Sequence, residues 1–132
     1  MIRISKRTDY GLLAMRHLAM LPDGACRSAR EIAAEHRIPP ALMAKLLQKM
    51  ARRGLVASHH GTKGGYQIAR PAMSISLWDV IEAIEGPVCF VECLDPTKAE
   101  CPQLSTCTVK SPLLVVRHKI ADLLGRTMVG DL

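Results

Sequence analysis

The sequence predicts a mainly α-helical fold carrying one small β-hairpin, and three observations predict it. Apolar residues recur at helical spacing in five separate stretches; one segment, LVASHHGTKGGYQIAR, shows instead two short β-type runs around a glycine-rich reversal; and that hairpin follows directly on two helices separated by Pro39 and Pro40. At 132 residues the chain suits one structural domain, large enough to bury a real core without disulfide staples.

The elements follow in order. Ser5 or Thr8 caps a first helix over about 8–21, with Leu12, Met15, Leu18 and Ala19 on one face and Pro22, Asp23 and Gly24 ending it. Ser28 with Glu31 forms a capping box for a short second helix reaching about His36. Pro40 is tolerated in the first turn of a third helix, which puts Met43, Leu46, Leu47 and Met50 on an inner face. Its outer face is Ala41, Ala44, Lys45, Gln48, Lys49 and Arg52: slim side chains first, cations last. That order lets a helix approach base edges while its far end reaches phosphates. Gly54 ends it, and Gly61, Gly64 and Gly65 permit the tight reversal of a hairpin whose tip carries His59, His60 and Lys63. A short helix, a turn, an apolar helix with a polar outer face and then a basic hairpin make a winged helix-turn-helix.

Ser76 caps a fourth helix, LWDVIEAIEG, and Ser111 caps a fifth that Pro112 opens. The fifth helix has too many apolar residues for one buried stripe (Leu113, Leu114, Val115, Val116, Ile120, Leu123 and Leu124), so a second surface should cover it. The same helix of another copy would give a two-fold homodimer suited to a palindromic operator. The chain thus divides into a DNA-binding region at 1–71, a connecting helix at 72–88, a cysteine loop at 89–110 and a long C-terminal dimerisation helix with its tail at 111–132.

Charge supports this division. Residues 1–70 hold 13 Lys and Arg against 4 Asp and Glu; residues 71–132 hold 5 against 8, so the halves carry +9 and −3 within a net +6. The basic half reads as a polyanion binder, with double-stranded DNA the expected partner. No apolar run approaches a membrane span and the first residues lack the apolar stretch of a secretion signal, which predicts a cytoplasmic protein with reduced thiols and no membrane partner. A Gly-rich phosphate loop, HExxH and a nucleophile elbow are all missing, so no enzyme is expected.

Between Cys89 and Lys110 lies a loop with Pro96 and Pro102 and no apolar periodicity, in which Cys93, Cys101 and Cys107 are separated by seven and five residues. A loop this long inside a small domain needs something to hold it, and thiolates suit an iron-sulfur cluster, zinc or copper(I). Free thiols or a disulfide are the plain alternative, and Cys89 is either a fourth ligand or a spare.

Taken together, ISKRTDYGLLAMRHLA, RRGLV, GGYQIARP, ISLWDVIEAIEGP and the three-cysteine loop resemble the Rrf-two family of winged-helix transcription regulators, which includes IscR, NsrR and RirA. The resemblance runs over essentially the whole chain. It implies a dimeric regulator whose DNA affinity is set by an iron-sulfur cluster, with Cys93, Cys101 and Cys107 as ligands. Some relatives supply a His three residues after the last cysteine, where this chain has Lys110; others take a carboxylate from the start of the partner's first helix, which is Asp9 here. Asp9 is therefore the first choice for fourth ligand, with His36 and Cys89 in reserve, and a four-iron cluster is favoured over a two-iron one. A Glu that some relatives use to discriminate operators is Ala44 here. The expected DNA-contacting set is Ser5, Lys6, Ser28, Pro40, Ala41, Ala44, Lys45, Gln48, Lys49, Arg52, His59, His60 and Lys63, with Lys45 directed to guanine and Gln48 to adenine. The rival readings are a cluster-free thiol redox or zinc switch on the same DNA-binding fold and, more distantly, a small iron-sulfur electron carrier.

Overall fold

A computed structural model of the chain describes residues 3–62 and 64–132. The first helix, α1 (Lys6–Ala19), starts two residues earlier than expected because Ser5, not Thr8, is its cap: Ser5 Oγ accepts the Thr8 N–H at 3.2 Å. Helices α2 (Ala29–His36) and α3 (Pro40–Arg52) follow. The predicted capping box of α2 is present, with Ser28 Oγ accepting the Glu31 N–H at 3.1 Å and the Glu31 carboxylate accepting the Ser28 N–H at 3.3 Å. Ser28, through its backbone N–H first and its side chain second, holds the Glu31 carboxyl below its ordinary pKa.

Strands β1 (Val56–His59) and β2 (Gly65–Ile68) pair antiparallel, with Val56 opposite Ile68 and His59 opposite Gly65. His59 therefore closes the ladder and only His60 belongs to the turn. Arg27 adds a further rung on the other edge of β2, exchanging backbone hydrogen bonds of 2.9 and 2.7 Å with Tyr66. Gly65 makes that rung possible. Its φ is +150°, and a Cβ there would lie 2.6 Å from the Arg27 carbonyl group.

Helix α4 (Leu77–Glu85) carries the predicted Ser76 cap, here as a full box with Asp79. Helix α5 (Lys110–Arg126) departs from expectation at its start. It begins at Lys110 with Val109 as cap residue, so Ser111 and Pro112 sit inside the first turn and Ser111 caps nothing. Proline is compatible there because first-turn N–H groups have no acceptor within the helix.

The core gathers Met15 and Leu18 of α1, Ile32 of α2, Met43, Leu46, Leu47 and Met50 of α3, and Val80 and Ile84 of α4. Gly11 lets α1 lie close on α4, since any Cβ at that position would collide with the Ile84 side chain. After α5 the tail returns to this core: Leu77 N donates to Thr127 O at 2.8 Å, Val129 N to Ile75 O at 2.7 Å, and Val129 is 2 % exposed. The segment expected to be a simple tail thus closes the core formed by α1 to α4.

Candidate functional site

The helix pair is held at a fixed angle by its turn. Arg37 ends α2 in the left-handed region at φ 54°, ψ 44°, Ile38 drops into the core, and Pro39 and Pro40 launch α3. This leaves Pro40, Ala41, Lys45, Gln48 and Arg52 exposed along one side of α3. Ala44 is only half-exposed. Lys49 departs further from the expected outer face, for it is half-buried and its Nζ donates to the Ile84 carbonyl at 3.1 Å. The unpaired carbonyls at the C-terminal end of α4 attract a cation, which draws Lys49 back onto the protein.

The hairpin presents His59 and His60 to solvent; Lys63 lies outside the described residues. Ser28 is half-buried and committed to its capping box. Ser5 is likewise committed, accepting from Thr8 and donating to the Glu85 carboxylate, whereas Lys6 is exposed and paired with Asp9 at 3.1 Å.

The cysteine loop leaves α4 at Gly86 and is organised by short 3-10 turns at Glu92–Leu94 and Leu104–Thr106. All five cysteines are free; Cys93, Cys101 and Cys107 are half-buried and Cys89 is exposed. Local hydrogen bonds shape the loop between the first two ligand candidates. Asp95 accepts from Thr97 Oγ1 at 2.6 Å and Thr97 N at 2.9 Å, which holds its carboxyl below the ordinary value, and Lys98 pairs with Glu92 at 3.0 Å.

The end of α4 joins these parts. Glu85 Oε1 accepts the buried Thr8 hydroxyl at 2.9 Å as well as Ser5 Oγ, and Ile84 O takes Lys49; the next residue, Gly86, begins the chain's path into the loop. Ser5 is the main reason the Glu85 carboxyl lies below its ordinary pKa, with Thr8 adding to it against some desolvation. One residue pair thus ties α1 and the exposed-face helix α3 to the root of the cysteine loop. Sequence reading missed this junction because its partners are 35 to 80 positions apart and leave no periodic trace.

A family model described as "Rrf2: Iron-dependent Transcriptional regulator" matches residues 4–132. The chain belongs to the Rrf2 family. Among Rrf2-like relatives, the putative HTH-type transcriptional regulator Rv1287 of Mycobacterium tuberculosis is 37 % identical over 90 residues, covering 68 % of this chain and 56 % of that protein. The matched part is thus little more than half the length of that relative. The structure of CymR (YrzC), the global cysteine regulator of B. subtilis, superposes with a TM-score of 0.77 at 26 % identity over 99 % of this chain and 95 % of that one. T. potens IscR gives 0.75 at 25 % identity over 98 % and 85 %. The winged helix-turn-helix is therefore the fold of an Rrf2-family transcriptional regulator, not of an enzyme, and no helix among its described residues is long and apolar enough to cross a membrane.

Against the Rrf2 expectation of a cluster, the donor set fits: three partly buried, unoxidised thiols stand on a loop with few other constraints. A single zinc ion would bring thiolates within about 4.6 Å of each other. Among the described residues, the group of three ligand atoms found within 4.8 Å is His17, Glu35 and His36, and no cysteine belongs to it. Asp9 stands on α1 with its side chain 50 % exposed and paired with Lys6, and the His36 ring is paired with His17.

Proposed function

We propose that this regulator is a cytoplasmic homodimer that binds a palindromic operator, with DNA affinity set by an iron-sulfur cluster on Cys93, Cys101 and Cys107 and on Asp9 of the partner subunit. The observation that carries this reading is the junction at Ile84–Gly86, where the root of the cysteine loop is bonded to α1 through Glu85 and to α3 through Lys49. Lys45 and Gln48 would read base edges, toward guanine and adenine; Pro40, Ala41 and Ala44 keep the start of α3 slim; Lys6, Ser28, Arg52, His59, His60 and Lys63 would face phosphates. Lys49 would act through α4 instead of touching DNA. The dimer rests on α5, in which no residue is buried within one chain.

Bound to these thiolates, a cluster would supply a centre sensitive to iron supply, nitric oxide and oxygen. The protein's part is to convert its presence into geometry: a ligand taken from α1 of the other subunit ties that helix, and the winged unit packed on it, to the loop. A tenfold change in operator occupancy needs only about 1.4 kcal/mol between the two states. The absence of His at Lys110 and the availability of Asp9 favour four irons over two.

Anaerobic reconstitution tests the proposal. The expected product is a coloured dimer with iron and acid-labile sulfide in equal amounts, whose operator affinity changes about tenfold or more when the cluster is removed. A colourless product would defeat it. A second reading keeps the DNA face and makes the thiols a cluster-free redox or zinc switch, favoured by the exposed Cys89 beside three partly buried thiols. Metal analysis with thiol titration of reduced and oxidised protein separates the two.

A further inference from the structure

A second constellation of metal-ligand side chains lies away from the cysteines, where the last turns of α1 and α2 meet. His17 Nδ1 is 3.1 Å from His36 Nε2 and 3.7 Å from a Glu35 carboxylate oxygen, and these three atoms lie within 4.8 Å of one another. The two rings stand edge to face at 74°, so neither stacks over the other and their nitrogens converge. For a tetrahedral ion with metal–nitrogen bonds near 2.0–2.1 Å, neighbouring ligand atoms are separated by about 3.3 Å. The observed separations fall on either side of that value, and small side-chain rotations would equalise them.

We propose that His17, Glu35 and His36 form a binding site for one divalent transition-metal ion of the zinc class, independent of the cysteine loop. Two imidazoles and one carboxylate match that class, and they leave a fourth position open to a pocket of about 570 Å³ also lined by Leu13 and Met20. The backbone contributes as well. Both histidines sit in last turns, where helix carbonyls place partial negative charge beside the ion. Arg16 and Arg27 line the same pocket and oppose a cation, but the Arg27 guanidinium is already held by the Cys26 carbonyl at 3.1 Å and lies 3.8 Å from Glu31. Binding moves the hydrogen now shared between the two rings to the distal nitrogen of its own ring. It would also bolt α2, the support of α3, to α1, so the ion would stiffen the DNA-binding unit directly.

The site is tested with Co(II) and Zn(II) on the full chain carrying Cys89→Ser, Cys93→Ser, Cys101→Ser and Cys107→Ser, which removes the loop thiols from competition. One Co(II) per chain is expected, with visible d–d bands and without near-ultraviolet thiolate absorption. Replacing either exposed or half-exposed ligand, by Glu35→Gln or His36→Gln, should weaken binding about tenfold or more while leaving the far-ultraviolet circular dichroism unchanged. Zn(II) should raise the melting temperature of the serine-substituted parent and not of His36→Gln. Absence of stoichiometric Co(II), a thiolate band, or binding unaffected by His36→Gln would overturn the proposal and show a pair of imidazoles that only hydrogen-bond each other. None of these outcomes bears on iron-sulfur reconstitution of the native loop, so the two sites stand or fall separately.

Discussion

In α3, Met43, Leu46, Leu47 and Met50 are all fully covered by neighbours of the same chain, whereas in α5 Val115, Val116 and Leu123 remain exposed and no residue is buried. The first helix belongs to a finished unit. Its apolar residues number what one stripe can bury, Ser28 caps the preceding α2, Pro39 and Pro40 start α3 itself, and the hairpin that follows is pinned to Arg27. The second helix is only half placed by its own chain, held at its end by Thr127 and Val129 but left with an uncovered face. The contrast teaches that the basic half specifies its own shape, while in the acidic half α4 and Val129 join that core and α5 keeps an apolar face that its own chain does not cover.

The largest effect should come from breaking the finished half at its tightest backbone contact. Gly65→Ala forces a Cβ against the Arg27 carbonyl, at a φ that L-residues rarely adopt, and backbone cannot move aside as a side chain can. A loss of about 3 kcal/mol in urea unfolding is expected, together with detachment of the hairpin from Arg27. Next, Leu123→Glu probes the unfinished half. Leu123 is 66 % exposed in one chain, so the monomer should keep its helical content and stability. Dimers in sedimentation should be lost, and with them about 100-fold in operator affinity as two half-site contacts become one. A Leu123→Glu protein that stays dimeric would remove α5 from the seam.

How much of this was legible follows the same division. The caps of α2 and α4, the proline start of α3 and the hairpin glycines are local signals, and each stands where the sequence places it. Ser111 was misleading because capping preference says which residue can cap, not whether the preceding backbone extends the helix by a residue; Val109 and Lys110 do so here. The contacts at Glu85, the turning-in of Lys49 and the return of Val129 to the core depend on residues distant in sequence, and nothing in a helical period encodes them. Cys93, Cys101 and Cys107 stand out by residue type and spacing, and the structure leaves them free and partly buried; Asp9 is chosen from the family resemblance alone, since a ligand from another chain leaves no mark in one sequence.

A smaller effect separates reading of bases from general attraction. Lys45→Ala should cost about 1–3 kcal/mol on the proper operator and flatten the preference among sequences, because a lysine at a base edge discriminates. Arg52→Ala should weaken every duplex alike and reduce the salt dependence by about one counterion. Lys49→Met, by contrast, should leave the salt slope unchanged, since its ammonium is spent on the Ile84 carbonyl. Equal salt slopes for the Arg52 and Lys49 variants would place Lys49 on the DNA after all.

The smallest effect concerns the junction between the halves and is read as a function of pH on cluster-free protein. Ser5 and Thr8 donate to the Glu85 carboxylate and depress its pKa in the folded chain. Folding is therefore linked to its ionised form: the contribution is fully present above the ordinary glutamate value of about 4.3 and is lost as the pH falls through the lower, folded value. Glu85→Gln should reduce stability by about 1 kcal/mol near neutrality, allowing for solvent screening of this exposed side chain, and the parent and variant should converge in acid. Because the same carboxylate sits next to the root of the cysteine loop, the variant should also blunt the difference in operator affinity between cluster-bound and cluster-free protein. Convergence in acid with an undiminished difference would mean that Glu85 holds α1 in place without carrying the signal.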